Sequence, residues 1–237
     1  MRIALVGYGR MGHVVETLAL RAGDTIVARI DKGQKIDKTT EGFAHAEVAI
    51  EFTAPDQAVE NIRACIASGV PVVSGTTGWY DALPDIQKLV TGTPRAALFY
   101  APNFSIGVNI LLRAAELLAD YRARFSQYTV AIEETHHTAK LDAPSGTAIA
   151  LAQPFLADNS SYTRWALTPT DARDTLPITA HRVDSVPGIH TVTLDSPQDT
   201  LTLTHSAKNR EGFAAGALAA ARFLIGKQGV FTMRDLL

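Results

Sequence analysis

The sequence predicts an α/β protein: a Rossmann-like, doubly wound parallel sheet, followed by a second α+β domain with a mixed sheet. Three observations support this prediction. Short apolar runs alternate with helical patterns over the first hundred residues, and a glycine-rich turn follows the first run. Clear alternation of apolar and polar residues begins only in the second half, near residue 128. Near-continuous apolar strands separated by helices are typical of a parallel sheet covered on both faces.

The first hundred residues are predicted to alternate between strands and helices. The strand candidates are Arg2–Val6, Thr25–Ile30, Val48–Thr53, Pro71–Ser74 and Ala96–Tyr100. The helix candidates between them are Met11–Arg21, Asp56–Ser68 and Asp81–Val90. This order predicts the parallel sheet of the first domain.

The second half is predicted to form a mixed or antiparallel sheet with helices. Its strand candidates are Tyr128–Glu133, Ile189–Leu194 and Thr200–His205, and its helix candidates are Ser105–Tyr121, Ser145–Leu156 and Gly212–Ile225. The stretch around Asp158–Pro177 shows no periodicity and is predicted to be a loop. We expect the last helix to pack against the first domain. Residues 1–103 and 207–237 would then form a discontinuous dinucleotide-binding domain, and 104–206 a substrate-binding and oligomerisation domain.

Composition narrows the class of protein. The chain has 237 residues, 46% of them hydrophobic, and a net charge of -2. This charge does not predict electrostatic attraction to nucleic acid or to an anionic membrane. No run approaches the roughly 20 apolar residues that span a bilayer, and no targeting segment is visible. These features predict a soluble cytoplasmic protein. The single cysteine, Cys65, lies in an apolar helical stretch and is interpreted as a buried structural thiol rather than a nucleophile.

A glycine-rich turn follows the first strand and predicts dinucleotide binding. Its residues are Gly7, Tyr8, Gly9, Arg10, Met11 and Gly12. The glycines permit a tight turn, close approach of a pyrophosphate and close helix packing, and the helix N-terminus favours the phosphates. Such a turn alone is weak evidence, but Asp31 follows about 20 residues later, where a ribose hydroxyl is bound. Asp31 could instead be a strand-end turn residue, and Lys32 could meet the 2′-phosphate of NADP.

Two further loops follow strands at the edge of the sheet where ligands bind. The first contains Gly75, Thr76, Thr77 and Gly78, whose amides and hydroxyls suit a nicotinamide, although an ordinary turn fits equally well. The second contains Ala101, Pro102, Asn103 and Phe104, at the predicted junction of the domains. The expected cofactor is NADH or NADPH.

The segment Glu133–Ala148 is predicted to carry the chemistry. His136, His137 and Lys140 lie within five residues on a predicted loop, where histidine can exchange a proton near neutral pH and lysine can bind a carboxylate. The following Pro144-Ser145-Gly146-Thr147 is typical of a helix start, with proline in the first turn and an anion site at the amides of Gly146 and Thr147. No cysteine or H-E-x-x-H spacing accompanies the histidines, so no metal is expected.

Several motifs resemble the dihydrodipicolinate reductase family, in order over most of the chain. They are Gly9-Arg10-Met11-Gly12, Gly75-Thr76-Thr77-Gly78, Asn103-Phe104-Ser105-Ile106-Gly107-Val108-Asn109, and above all His136-His137-x-x-Lys140-x-Asp142-Ala143-Pro144-Ser145-Gly146-Thr147-Ala148. The resemblance implies hydride transfer from NADH or NADPH to a small cyclic dicarboxylate, 4-hydroxy-tetrahydrodipicolinate, in diaminopimelate and lysine biosynthesis. It also implies a homotetramer built through the sheet of the second domain.

The same resemblance implies a role for each matching residue. His136 is the expected proton donor or acceptor, and Lys140 a second proton donor or an activator of the substrate. The expected substrate contacts are His137, Gly146 and Thr147. The expected cofactor contacts are Gly7–Gly12, Asp31, Gly75–Thr77 and Ala101–Phe104, with Lys32 beside them.

The chain departs from the family pattern at several points. The glycine turn is one residue shorter than in many members, Asp184 stands where glycine is usual, Asn209 replaces a serine, and the region 158–177 is short. These departures leave cofactor preference and tetramer contacts open. Two other hypotheses remain: another two-domain dehydrogenase acting on aspartate or homoserine, and a non-catalytic NAD(P)-binding sensor.

Overall fold

The computed structural model describes residues 1–37, 39–156, 161–170 and 172–237. The chain divides into two compact units. The first unit is Met1–Ile106 with Glu211–Leu237, and the second unit is Gly107–Arg210. Among the described residues, no helix has the length and apolar character needed to cross a membrane.

The first unit is built on a six-stranded parallel sheet. Its strands are β1 (Arg2–Val6), β2 (Thr25–Ile30), β3 (Val48–Glu51), β4 (Val72–Ser74), β5 (Ala97–Tyr100) and, from the end of the chain, β11 (Gly229–Phe231). Their order is β11-β5-β4-β3-β1-β2, and every neighbouring pair is parallel. The predicted Rossmann-like sheet is thus confirmed. The sequence pattern did not reveal β11, which has only three residues.

Helices cover both faces of this sheet. They are α1 (Arg10–Arg21), α2 (Pro55–Ala67), α3 (Leu83–Gly92), α6 (Glu211–Leu224) and the short α7 (Met233–Leu236). Alternate residues of β1 enter different cores: Ile3 packs in a cluster with α1 and α6, whereas Ala4 packs in a cluster with α2 and α3. This two-sided burial explains why the strands are continuously apolar. Cys65 of α2 is buried, as predicted, and burial raises the pKa of its thiol.

The alanine-rich α6 packs closely because its side chains are small. A Cβ at Gly216 would overlap the carbonyl oxygen of Phe104. Small residues therefore allow the helix to approach the end of β5 and the glycine-turn helix α1. Helix α6, the last helix that the sequence predicts, thus belongs to the first unit.

The second unit contains a five-stranded mixed sheet. Its strands are β6 (Thr129–His136), β7 (Arg164–Leu167), β8 (Thr175–Arg182), β9 (Ile189–Asp195) and β10 (Thr200–Ser206), in the order β10-β9-β6-β8-β7. The pairs β10/β9 and β9/β6 are antiparallel, and β6/β8 and β8/β7 are parallel. The helices α4 (Ile106–Arg124) and α5 (Gly146–Ala152) supply apolar residues to its core, including Leu111 and Leu151.

The prediction of a loop around Asp158–Pro177 was wrong where the structure describes it. Strand β7 lies inside this stretch, and β8 begins at Thr175. Residues 157–160 and 171 lie outside the described residues. The absence of periodicity was misleading here. Pro177 is compatible with the strand, because β8 pairs with β6 from Ile178 onward and that ladder therefore loses no hydrogen-bond donor to the proline.

Candidate active site

The glycine turn of the first unit joins β1 to α1, and its three glycines meet different surroundings. Gly7 has a φ of 90°, and a Cβ there would overlap the carbonyl oxygen of Phe52. A Cβ at Gly12 would crowd the carbonyl of Gly7, so this glycine permits close packing of the helix. By contrast, a Cβ at Gly9, the N-cap of α1, would have no neighbour within 4 Å. Open space at a helix N-terminus is what a bound phosphate requires.

The side chains of the turn differ in their environments. Tyr8 is partly buried, and its hydroxyl donates a hydrogen bond to Glu16 of α1. Arg29 of β2 also donates to Glu16, at 2.8 Å from Nε, and this guanidinium lowers the pKa of the carboxyl. Arg10 is exposed and Met11 is half-buried. Sequence reasoning missed the Glu16–Arg29 pair, which fixes the tyrosine of the turn.

Asp31 follows β2 directly and is exposed, as is Lys32. The Asp31 carboxylate accepts a hydrogen bond from the Lys32 amide at 2.8 Å, and its own amide donates to Gln34 at 2.7 Å. Asp31 therefore does shape a strand-end turn. A cavity of about 400 Å³ opens beside this turn, between residues 33–37 and α2.

The loop after β4 is held by a buried carboxylate that the sequence analysis did not single out. Glu51, the last residue of β3, is fully buried and accepts hydrogen bonds from Ser74 at 2.5 Å and Thr76 at 2.7 Å. It also accepts from the Thr53 amide at 3.0 Å. A Cβ at Gly75 would overlap the Phe52 ring. The signal in the sequence was a single acidic residue within an otherwise apolar strand.

The remaining predicted cofactor residues lie on the loops after β4 and β5. Thr77 is exposed, and Thr76 accepts a hydrogen bond on its carbonyl from the Trp79 indole at 2.8 Å. Ala101 and Phe104 are buried, whereas Pro102 is exposed. Asn103 accepts a hydrogen bond from the Ser105 amide at 2.8 Å. Because these loops follow neighbouring strands of a parallel sheet, they share its carboxyl edge.

In the second unit, the predicted catalytic segment begins on a strand rather than on a loop. His136 is the last residue of β6 and is only 8% exposed, so the placement of both histidines on a loop was wrong for this one. The strand alternates, and its buried face runs through Val130, Ile132 and Glu134 to His136. His137 begins the loop and is half-buried. Lys140 lies on that loop, with Nζ 2.7 Å and 2.8 Å from the two oxygens of Asp142.

Glu134 is the centre of the buried polar cluster in this unit. Its side chain has no exposed surface, and it accepts hydrogen bonds from the Ser145 amide at 3.0 Å and from Arg182 at 3.2 Å. Nδ1 of His136 lies 3.4 Å from Oε2 of Glu134, and Nε2 of His190 lies 3.8 Å from the same oxygen. Sequence reasoning missed Glu134, Arg182 and His190 as members of the site.

Burial controls the charge of the two histidines. Loss of solvent lowers the pKa of His136, although the Glu134 carboxylate opposes this effect. Loss of solvent, and then the neighbouring His136, lower the pKa of His190 to about 4. The two rings stand edge to face, with centroids 4.9 Å apart. His190 is therefore neutral near neutral pH, and its Nε2 lies 3.2 Å from the Ser145 hydroxyl.

The predicted helix start is present, with one difference. Ser145 is the N-cap of α5, and its hydroxyl accepts a hydrogen bond from the Ala148 amide at 3.2 Å. Pro144 precedes the cap and so lies outside the first turn, where it had been expected. Gly146 and Thr147 are the first two helical residues.

The cluster of Glu134, His136 and His190 also has the residue types of a metal site, since its ligand atoms lie within 4.8 Å of one another. The donor set does not favour a cation. Both oxygens of Glu134 already accept hydrogen bonds from the Ser145 amide, and one also accepts from the Arg182 guanidinium. A second cation beside Arg182 would be repelled.

One family departure has a structural consequence. Asp184, which stands where the family pattern has glycine, adopts a φ of 35°. This left-handed conformation favours glycine, and aspartate is among the few other residues that adopt it. The Asp184 carbonyl accepts a hydrogen bond from the Thr138 amide at 3.1 Å, so this turn supports the loop that carries Lys140.

Comparison with known proteins relates both units to a single family. The model described as dihydrodipicolinate reductase, N-terminus, matches residues 1–104, and the model described as dihydrodipicolinate reductase, C-terminus, matches 107–237. A 4-hydroxy-tetrahydrodipicolinate reductase of Christiangramia forsetii is 44% identical over 237 residues, covering 100% of this chain and 98% of that protein. A protein of the same name from Thiobacillus denitrificans is 32% identical, with 100% and 98% covered.

Solved structures agree on the fold. A dipicolinate-bound dihydrodipicolinate reductase from Paenisporosarcina sp. TG-14 has a TM-score of 0.81 at 23% identity, covering 100% of this chain and 99% of that chain. An amine dehydrogenase from Mycobacterium smegmatis has a TM-score of 0.64 at 13% identity, covering 100% and 96%. At these identities the similarity establishes the architecture of the chain and not its reaction.

Proposed function

The chain belongs to the dihydrodipicolinate reductase family, and we propose that it reduces 4-hydroxy-tetrahydrodipicolinate to tetrahydrodipicolinate with a hydride from NADH or NADPH. This reaction belongs to diaminopimelate and lysine biosynthesis. The observation that carries the proposal is the similarity to 4-hydroxy-tetrahydrodipicolinate reductases over the whole chain. The chain is accordingly an oxidoreductase that uses a pyridine nucleotide.

The first unit is the proposed dinucleotide-binding domain. Gly7, Tyr8, Gly9, Arg10, Met11 and Gly12 would surround the pyrophosphate, and the open space at Gly9 supports this assignment. Asp31 would bind the ribose, Lys32 would meet a 2′-phosphate, and the cavity beside them would receive the adenosine. The nicotinamide contacts would be Gly75, Thr76, Thr77, Ala101, Pro102, Asn103 and Phe104. When bound, the cofactor supplies the hydride.

The second unit is the proposed substrate-binding and oligomerisation domain. His136 would transfer a proton, and Lys140 would donate a second proton or polarise the substrate. The contact between the Lys140 ammonium group and the Asp142 carboxylate supports a role in binding carboxylates. His137, Gly146 and Thr147 would contact the substrate carboxylates, since a helix N-terminus beside a lysine favours anions.

We further propose a homotetramer assembled through the sheet of the second unit, located in the cytoplasm. Analytical ultracentrifugation tests the assembly, because the subunit mass is 25.4 kDa and a tetramer has four times that mass. A monomer at working concentrations would contradict it.

The direct test supplies the product of the upstream synthase and follows oxidation of NADH and NADPH in separate assays. Oxidation of either cofactor that depends on the synthase product supports the proposal. Oxidation of aspartate or homoserine, with no reduction of the synthase product, would favour the hypothesis that the protein is another two-domain dehydrogenase. Cofactor binding without turnover on any of these substrates would favour a non-catalytic sensor.

A further inference from the structure

We propose that Glu134 is a positioning residue that holds the ring of His136 and the N-cap of α5 in a fixed arrangement for proton transfer. The inference rests on the proposed function, in which His136 transfers the proton. Glu134 is not proposed to touch the substrate, because its side chain is fully buried.

The contacts of Glu134 come from four parts of the second unit. Arg182 reaches it from β8, His190 faces it from the paired position of β9, His136 follows on its own strand, and the Ser145 amide approaches from the start of α5. A buried carboxylate is costly unless it is paired and hydrogen-bonded. Here every partner belongs to, or lies beside, the predicted substrate site.

The same carboxylate also orders the catalytic loop through Arg182. Besides Glu134, the Arg182 guanidinium donates hydrogen bonds to the carbonyl of Asp142 at 2.5 Å and to that of Lys140 at 3.4 Å. Lys140, the predicted second proton donor, is therefore connected to Glu134 through the side chain of Arg182. Removal of the carboxylate would leave Arg182 without its buried counter-charge and would loosen this connection.

The position of Glu134 beside Nδ1 of His136 has a chemical consequence. Nδ1 of His136 and Oε2 of Glu134 are 3.4 Å apart, and Nδ1 has no hydrogen-bond partner in this structure; contacts of this kind often tighten into hydrogen bonds when ligand binds. A carboxylate at Nδ1 favours the tautomer with hydrogen on that nitrogen, which leaves Nε2 to exchange a proton. A Cβ at Gly188 would lie 3.1 Å from Nε2 of His136. Because glycine has no side chain, this position leaves room at Nε2.

Glu134 also sets the charge balance at His136. The groups that face this ring are Glu134 from its own strand, Arg182 from β8, His190 from β9, and Lys140 and Asp142 from the loop. Glu134 raises the pKa of His136, whereas Lys140 and Arg182 lower it. Replacement by glutamine removes the charge and keeps the shape, so the pKa of His136 should fall.

The test compares Glu134→Gln with Glu133→Gln, a matched control on the exposed face of the same strand. We expect Glu134→Gln to lower kcat about tenfold or more, with KM for the dinucleotide unchanged, and to move the limb of the pH profile that reports His136 to lower pH. An NMR titration of the His136 ring, assigned with a His136→Gln sample, should show the same fall in its pKa. Glu134→Asp should retain the pKa but recover only part of kcat.

Wild-type kcat and His136 pKa in Glu134→Gln would overturn the inference, as would a loss of thermal stability alone. If Glu134→Gln does not fold, Glu134→Asp carries the test, and wild-type kcat in that variant would overturn the inference. The NMR titration also separates the two proposals. An inactive wild-type protein would contradict the proposed function, while the dependence of the His136 pKa on Glu134 would still be measured.

Discussion

The carboxylate of Glu51 accepts a hydrogen bond from the hydroxyl of Thr76 at 2.7 Å, inside the first unit. Thr76 lies in the loop after β4 that is proposed to contact the nicotinamide. The same carboxylate binds Ser74 at the end of β4. One buried acid on β3 therefore fixes the shape of a loop on the neighbouring strand.

Glu51→Gln should weaken dinucleotide binding, because the amide nitrogen cannot accept a hydrogen bond from these hydroxyl groups. Loss of a hydrogen bond to a charged group costs about 1.5–3 kcal/mol, so we expect a lower Tm and a higher Kd for NADH. Fluorescence titration and thermal unfolding measure both quantities. The exposed Glu41→Gln is the control, and an unchanged Kd in Glu51→Gln would contradict the role of this carboxylate.

Gly9→Ala should separate cofactor binding from folding. The methyl group would have no neighbour in the protein, so Tm should remain near that of the wild type, whereas the pyrophosphate would lose its close approach to the backbone. We expect NADH binding to weaken about tenfold or more, at a cost of about 1.4 kcal/mol per factor of ten. Gly212→Ala, which also has open space in α6, is the control. Equal affinity in both variants would argue against phosphate binding at this turn.

Stability should fall in mild acid because of His190. Its pKa is lowered from 6.5 to about 4, so between these values the unfolded chain holds a proton that the folded chain does not. The contribution of His190 to the free energy of unfolding therefore has its full value above pH 6.5. It decreases by about 3 kcal/mol as the pH falls toward 4. Lowered pKa values of His136 and His205 act in the same direction. The loss of Tm from about pH 7.5 to about pH 5 should be smaller in His190→Asn, and an equal loss would disprove this assignment.

Cofactor preference should respond to Lys32. Because this lysine is exposed beside Asp31, its pairing with a 2′-phosphate would be worth about 1 kcal/mol or less. Lys32→Ala should raise KM for NADPH about threefold to fivefold and leave KM for NADH unchanged. Lys88→Ala, on the exposed surface of α3, serves as the control. An equal effect on the two cofactors would place the 2′-phosphate elsewhere.

The sequence predicted the first five strands and the main helices of the first unit because each is marked by local signals, whereas the short β11 and α7 are not. Apolar runs, the glycine turn and helical spacing are properties of neighbouring residues. β7 and β8 were missed because their stretch shows no periodicity: β8 pairs with the distant strand β6, and β7 pairs with β8 at the edge of the sheet. Their identification needed contacts that no local pattern contains.

The predicted site shows the same division. His136 and Lys140 could be recognised because they lie close together in a long motif. Glu134 and His190 were missed, although each continues the buried, apolar face of its strand. A charged or polar residue on such a face requires a partner, which was the available signal. Arg182 gave no local signal, because its significance depends on the pairing of β8 with β6.

The most direct measurement is kcat for reduction of the upstream synthase product by wild type, His136→Gln and Lys140→Ala, with dinucleotide binding measured in parallel. We expect the wild type to turn over with NADH or NADPH. In both variants kcat should fall by a factor of about 10² or more, while cofactor affinity stays nearly unchanged. The exposed His45→Gln should behave as wild type. Wild-type kcat in both His136→Gln and Lys140→Ala would contradict the assignment of proton transfer to these residues.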